Sequence, residues 1–109
     1  MDEAYEIAFE LILSAGNSKS NSMMAIRAAR EFDFEQAQEL LSKADDEFTA
    51  AHEIQNKLIQ AEARGEGKEV NLIMVHAQDH LSMALETRDN AGEFLNLYKM
   101  IYELQKKSK

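Results

Sequence analysis

Proline is absent from all 109 residues, and only four glycines interrupt the chain. These are the two strongest helix breakers, so little in the backbone chemistry prevents long helices. Valine, a strand former, occurs only at Val70 and Val75. Ala, Leu, Glu, Gln, Lys and Met recur throughout, and all of them favour helix over strand. The fold class these residues predict is all-α.

Two points of punctuation divide the chain. In Glu31-Phe32-Asp33-Phe34-Glu35-Gln36, Asp33 can accept from the free amides of a new helix, and Gln36 three residues on can reach back as a capping box. In Arg64-Gly65-Glu66-Gly67-Lys68, the glycines allow the chain to leave a helix with positive φ. The expected helices are roughly 2–31, 33–63 and 69–106 of one domain spanning 1–109. Short connections make neighbours antiparallel, giving an up-down-up three-helix bundle.

The apolar period supports this division. Phe34, Ala37, Leu41, Ala44, Phe48, Ala51, Gln55 and Leu58 step by three and four along the second helix. In the third, Val70, Met74, Ala77, Leu81, Ala84, Ala91, Leu95, Tyr98 and Tyr102 do the same, interrupted by Arg88. In the first, Tyr5, Phe9, Ile12, Gly16, Met23 and Ile26 keep one phase across a small, polar waist from Ser14 to Ser22. That continuity predicts one long helix with Tyr5 and its fellows inward. The third helix also carries a second stripe, Ile73, His76, His80, Met83, Phe94, Leu97 and Ile101. A surplus apolar face on so small a domain points to another subunit.

Charge narrows the function classes. Twelve Lys and Arg stand against twenty Asp and Glu, a net charge of −8. That argues against nucleic-acid binding, which needs clustered cations. Absent cysteine removes disulfides, thiolate metal sites and cysteine nucleophiles. No apolar stretch approaches the roughly 18–20 residues of a membrane span. The acidic start Met1-Asp2-Glu3 is unlike a signal peptide, so the expected location is cytoplasmic.

Chemistry concentrates in Val75-His76-Ala77-Gln78-Asp79-His80-Leu81. His76 with Asp79 is an i,i+3 pair and His76 with His80 an i,i+4 pair, so all three share one side of a helix. Three readings of these residues compete. A zinc site is one, but Ala77 occupies the place where the hydrolytic zinc helix carries its glutamate. Inert interface histidines are the second. A nucleophilic imidazole that accepts and passes on a phosphoryl group is the third. His52, beside the stripe of the second helix, reads as a packing or surface histidine.

The His76-Ala77-Gln78-Asp79-His80 string closely resembles the lactose/cellobiose family of IIA proteins of the bacterial sugar phosphotransferase system. Ala50 to Leu58, Glu93 to Lys99 and the Asp33-Phe34-Glu35-Gln36-Ala37 helix start are similar to further family segments. The likeness runs from about Ala4 to Tyr102. It implies a three-helix subunit in a homotrimer, phosphorylated on His76 by the histidine-containing phosphocarrier protein. The phosphoryl group then goes to a cysteine of a IIB protein or domain, and a membrane IIC component couples sugar entry to phosphorylation. The resemblance further implies that Asp79 meets its symmetry mates around one divalent cation, Mg2+. His80 and Gln78 match the string in supporting roles, His80 as a hydrogen-bond partner of His76. The rivals are a non-catalytic helical adaptor and a structural metal-binding oligomer on the same fold. Which sugar is carried is not encoded, because a IIA subunit need not touch sugar.

The sequence also departs from the family. Gly16-Asn17-Ser18-Lys19-Ser20 stands where Gly-x-Ala-Arg-Ser is common, and lysine lacks the planar fork that grips an anion in two places. No phosphate-clamping role is assigned to this segment. Glu86-Thr87-Arg88-Asp89-Asn90 is more polar than usual.

Overall fold

A computed structural model describes residues 3–108. Helix α1 runs Glu3–Arg30, α2 Phe34–Ala63 and α3 Leu72–Lys107. The expected start of the first helix at residue 2 lies outside the described residues. The small, polar waist does not interrupt α1, which is continuous over 28 residues.

The turn after α1 is closed by backbone bonds. Phe32 N–H donates to the Ala29 carbonyl and Asp33 N–H to that of Ala28, both at 2.9 Å. Phe32 takes a φ of 64°, a left-handed conformation costing a side-chain-bearing residue about 1–2 kcal/mol. Its ring packs edge-on against Tyr102 at 5.2 Å and lies 6.1 Å from Phe34. Aromatic pairs of this kind contribute about 0.5–1.5 kcal/mol each, enough to hold the conformation. Asp33 caps α2 as expected, Oδ1 accepting from Gln36 N–H at 3.2 Å. The reciprocal half of the expected capping box is absent, because the Asp33 N–H already serves the Ala28 carbonyl.

After α2, Gly65 takes a φ of 79° and turns the chain. Gly67 has negative φ but lies so close to α2 that a Cβ would meet the Glu62 Cα at 3.1 Å. Helix α3 begins at Leu72, three residues later than expected. Asn71 is the reason: its Oδ1 accepts from Met74 N–H at 3.0 Å, a stronger cap than Glu69 or Val70 offers. Val70 is left in the loop, 68% exposed.

The core falls into two clusters. Ala8 and Leu11 of α1 meet Ala51 of α2 and Ala77 and Leu81 of α3 at one end. Ala25 and Ala29 meet Ala37, Leu40, Leu41, Ala91 and Leu95 at the other. The start of α1 thus faces the end of α2 and the start of α3, the up-down-up order. The extents are 63 × 25 × 19 Å and the radius of gyration is 17.5 Å, against about 13 Å for a compact chain of this size. So thin a bundle cannot cover every apolar side chain.

Helix α1 corrects the sequence reading. Its buried face is Ala8, Leu11, Ala15, Ser18, Ser22, Ala25 and Ala29, one residue earlier at each step than the expected stripe. Tyr5 is 41% and Phe9 48% exposed. Helix α1 packs along both other helices, while α2 and α3 touch each other much less. Close approach on two sides selects small residues. Ser18 fits by donating to the Ala44 carbonyl at 2.8 Å; Ser22 Oγ is buried with no hydrogen-bond partner among the described residues. The stripes expected for α2 and α3 do form the core, apart from Val70 and the half-exposed Tyr102. Arg88, the interruption in α3, reaches across to α2 and grips both carboxylate oxygens of Asp45.

Candidate functional site

Capped by Asn71, α3 places His76 in its second turn and His80 one turn further on. The two Nε2 atoms are 3.0 Å apart, and the rings meet edge to face at 86°. At that distance one ring donates its N–H and the other accepts with a lone pair. His76 is exposed and His80 half-buried, so one edge of the pair is open to solvent. Tyr5, Asn71, Leu72 and Ile73 border His76 in a shallow pocket of about 430 Å³.

Asp79 lies exposed on the same side of α3 and makes no ion pair among the described residues. No three His, Asp or Glu side chains of the described residues converge as a metal site. One carboxylate per chain does suit a hard, oxygen-seeking cation if other copies supply the rest. The zinc reading gains no third ligand: His52 is exposed on α2, its ring stacked on Phe48 at 5.6 Å. Packing is the role expected for it.

Gln78 separates from the other motif residues. It points to the opposite side of α3, where its Oε1 accepts from Gln55 Nε2 of α2 at 2.7 Å. The amides sit in the wall of a second pocket, of about 300 Å³, with Leu58, Val70, Met74 and Val75. Gln55 was missed as a site residue, although a glutamine on an otherwise apolar stripe is itself a signal of a polar partner within the bundle. Lys19, at the departure from the family pattern, is exposed. Ser18 beside it serves the core.

An imidazole nitrogen on an open helix face, with no enclosed cleft behind it, has the placement that suits exchange of a group with other proteins. The class is that of small helical phosphotransfer proteins. The chain belongs to the lactose/cellobiose-specific IIA subunit family of the phosphotransferase system (PTS), whose family model matches residues 6–99. It is 46% identical over 102 residues to the lichenan-specific phosphotransferase enzyme IIA component of Bacillus subtilis (strain 168), covering 94% of this chain and 93% of that one. The crystal structure of the PTS cellobiose-specific enzyme IIA from Bacillus anthracis superposes with a TM-score of 0.92 at 41% identity, covering 94% of each chain. Solution structures of the IIA(chitobiose)–HPr complex of the Escherichia coli phosphotransferase system give 0.80 at 28% identity, covering 94% of this chain and 99% of that one. Among the described residues, no helix is long and apolar enough to cross a membrane.

Proposed function

We propose that this chain accepts a phosphoryl group on His76 from the histidine-containing phosphocarrier protein HPr and passes it to the cysteine of a IIB protein. A membrane IIC component then couples sugar uptake to phosphorylation. The observation that carries this reading is the 3.0 Å contact between the Nε2 atoms of His76 and His80 on an open helix face.

With His80 as donor, His76 carries its proton on Nδ1 and keeps a lone pair on Nε2. That lone pair attacks the phosphorus of the HPr phosphohistidine. A new P–N bond forms on His76 as the old one breaks, and its electron pair returns to the HPr imidazole. In the second transfer a IIB thiolate attacks the phosphorus, the P–N bond breaks, and the pair returns to His76 Nε2. Such transfers need positioning and charge stabilisation above all. The His80 N–H, released from His76 Nε2 during attack, would be free to donate to a phosphoryl oxygen. The chitobiose relative, solved in complex with HPr, supports the first partner. The sugar differs among the relatives, whose names give lichenan, cellobiose and chitobiose; here it belongs to IIB and IIC.

The surplus face of α3, with Phe94 43% and Leu97 48% exposed, supports an oligomer, and the family resemblance makes it a homotrimer. In that assembly three Asp79 carboxylates would hold one Mg2+ by their oxygens, and the ion would supply charge neutralisation between them. The carrier acts on the cytoplasmic side of the membrane.

Incubation with radiolabelled phospho-HPr tests the assignment. Wild type takes up alkali-stable, acid-labile label and gives it to IIB, whereas folded His76→Gln takes up none. Full labelling of folded His76→Gln would overturn it.

A further inference from the structure

Gln78 belongs to the motif by sequence but stands apart from the histidine pair. At 100° per residue it lies about 160° around α3 from both His76 and His80. We propose that Gln55 and Gln78 are a positioning pair, whose hydrogen bond sets the roll of α3 about its own axis and thus the direction in which the histidines face a partner. The proposal rests on the phosphocarrier reading above.

Packing constrains that roll chiefly from the α1 side. In the cluster behind the histidines, the fully buried Ala8, Ala51 and Ala77 are joined by Leu11 and Leu81, with Phe48, Leu58 and Met74 partly buried against them. Alanine itself has no side-chain length to interlock, and α2 and α3 make far less contact with each other than either makes with α1. Among the described residues, two side-chain hydrogen-bonded links join α2 to α3: Gln55–Gln78 and Asp45–Arg88. The second lies about 15 Å further along α3, ten residues beyond Gln78. The glutamine pair is therefore the hydrogen-bonded link that acts at the level of the histidines. It is half-buried, short at 2.7 Å, and has a defined direction, with Gln55 donating. The other end of the Gln78 amide rests against Met74 Sδ at 3.6 Å, which holds the acceptor oxygen toward α2.

The leverage is large. Side-chain tips lie about 5–6 Å from a helix axis, so a 20° roll moves a histidine nitrogen about 2 Å. A misplacement of about 1 Å costs transfer reactions on the order of 100-fold. Gln78 never touches the phosphoryl group in this scheme; it acts through the helix.

The test uses the full chain with Gln55→Leu, Gln78→Leu and the double variant. Leucine suits a pocket already lined by Leu58 and Met74. Long-range proton–nitrogen spectra of the imidazoles, recorded before phosphorylation, read the His76–His80 pair; initial rates with phospho-HPr give kcat and KM. Each single variant should fold, show altered imidazole signals and lose about tenfold in kcat with KM nearly unchanged. The double variant should lose no more than either single. Gln55→Leu, outside the motif, decides the matter if Gln78→Leu does not fold. Wild-type spectra and rates in a folded variant, or losses that multiply in the double, overturn the pair. If wild type takes no label, the phosphocarrier reading fails, while the imidazole spectra still decide whether the glutamines orient the histidines.

Discussion

His80 Nε2 lies 3.0 Å from His76 Nε2, with the rings nearly perpendicular. One nitrogen of each ring is spent on the other; in the scheme proposed above His80 is the donor, which fixes the tautomer of His76. Removing that donor by His80→Ala should slow acceptance of the phosphoryl group about tenfold, the worth of one hydrogen bond of about 1.4 kcal/mol. His80→Gln keeps an amide N–H and should lose less. Single-turnover labelling compares them; an unchanged rate in His80→Ala would show that the pair has no part in transfer.

Asp79 is exposed beside the surplus apolar face and forms no ion pair among the described residues. Three such carboxylates near one axis repel unless a cation or protons neutralise them. Sedimentation equilibrium should give three chain masses. Chelation at neutral pH should lower the Tm of that trimer and added magnesium restore it, with Asp79→Asn nearly indifferent to both. Equal losses in wild type and variant under chelator would remove Asp79 as the ligand.

Two buried serines in α1 should respond with opposite signs. Ser22 Oγ has no hydrogen-bond partner among the described residues, so Ser22→Ala removes an unsatisfied hydroxyl and should stabilise by about 1 kcal/mol. Ser18→Ala removes the bond to the Ala44 carbonyl. It should destabilise by about 0.5 kcal/mol, once the better helix propensity of alanine is counted. Urea unfolding of both variants measures the contrast.

The Arg88–Asp45 pair ties the middle of α3 to α2, and the hydrogen bond that Arg88 donates to the Asp45 carboxylate raises the Arg88 pKa above its ordinary value. A raised pKa means stability fully present below the unfolded value and lost only as pH rises through the folded one. Arg88 therefore adds no pH dependence in the neutral range. Asp45 is half exposed in its side chain, so Arg88→Ala should cost about 0.5–1 kcal/mol and no more. A loss of several kcal/mol by chemical denaturation would mean that the pair is far less screened than its exposure indicates.

Much of the fold was legible because it depends on local chemistry. Absent proline, the Asp33 cap and the Gly65 turn are properties of a few neighbouring residues, and they place the helices to within about three positions. The stripes of α2 and α3 were legible because each of those helices buries one face. The motif could be read for the same reason, since i,i+3 and i,i+4 spacing puts His76, Asp79 and His80 on one side of any helix.

The start of α3 was misplaced because an asparagine side chain, not hydrophobicity, chose it. The inward face of α1 and the direction of Gln78 depended on the other helices. Two neighbouring faces of α1 carry the same three-four period, one bulky with Tyr5 and Phe9, the other small with Ala8, Ala15 and Ser18. Period and hydropathy alone favour the bulky one. The sequence by itself determined three helices, their order and the residues able to carry chemistry, because each follows from spacing along one helix. The tertiary structure decided which face of α1 turns inward and which motif residue turns away from the histidines. The physical reason is room: α1 lies against two helices at once, and small side chains are what that space accepts.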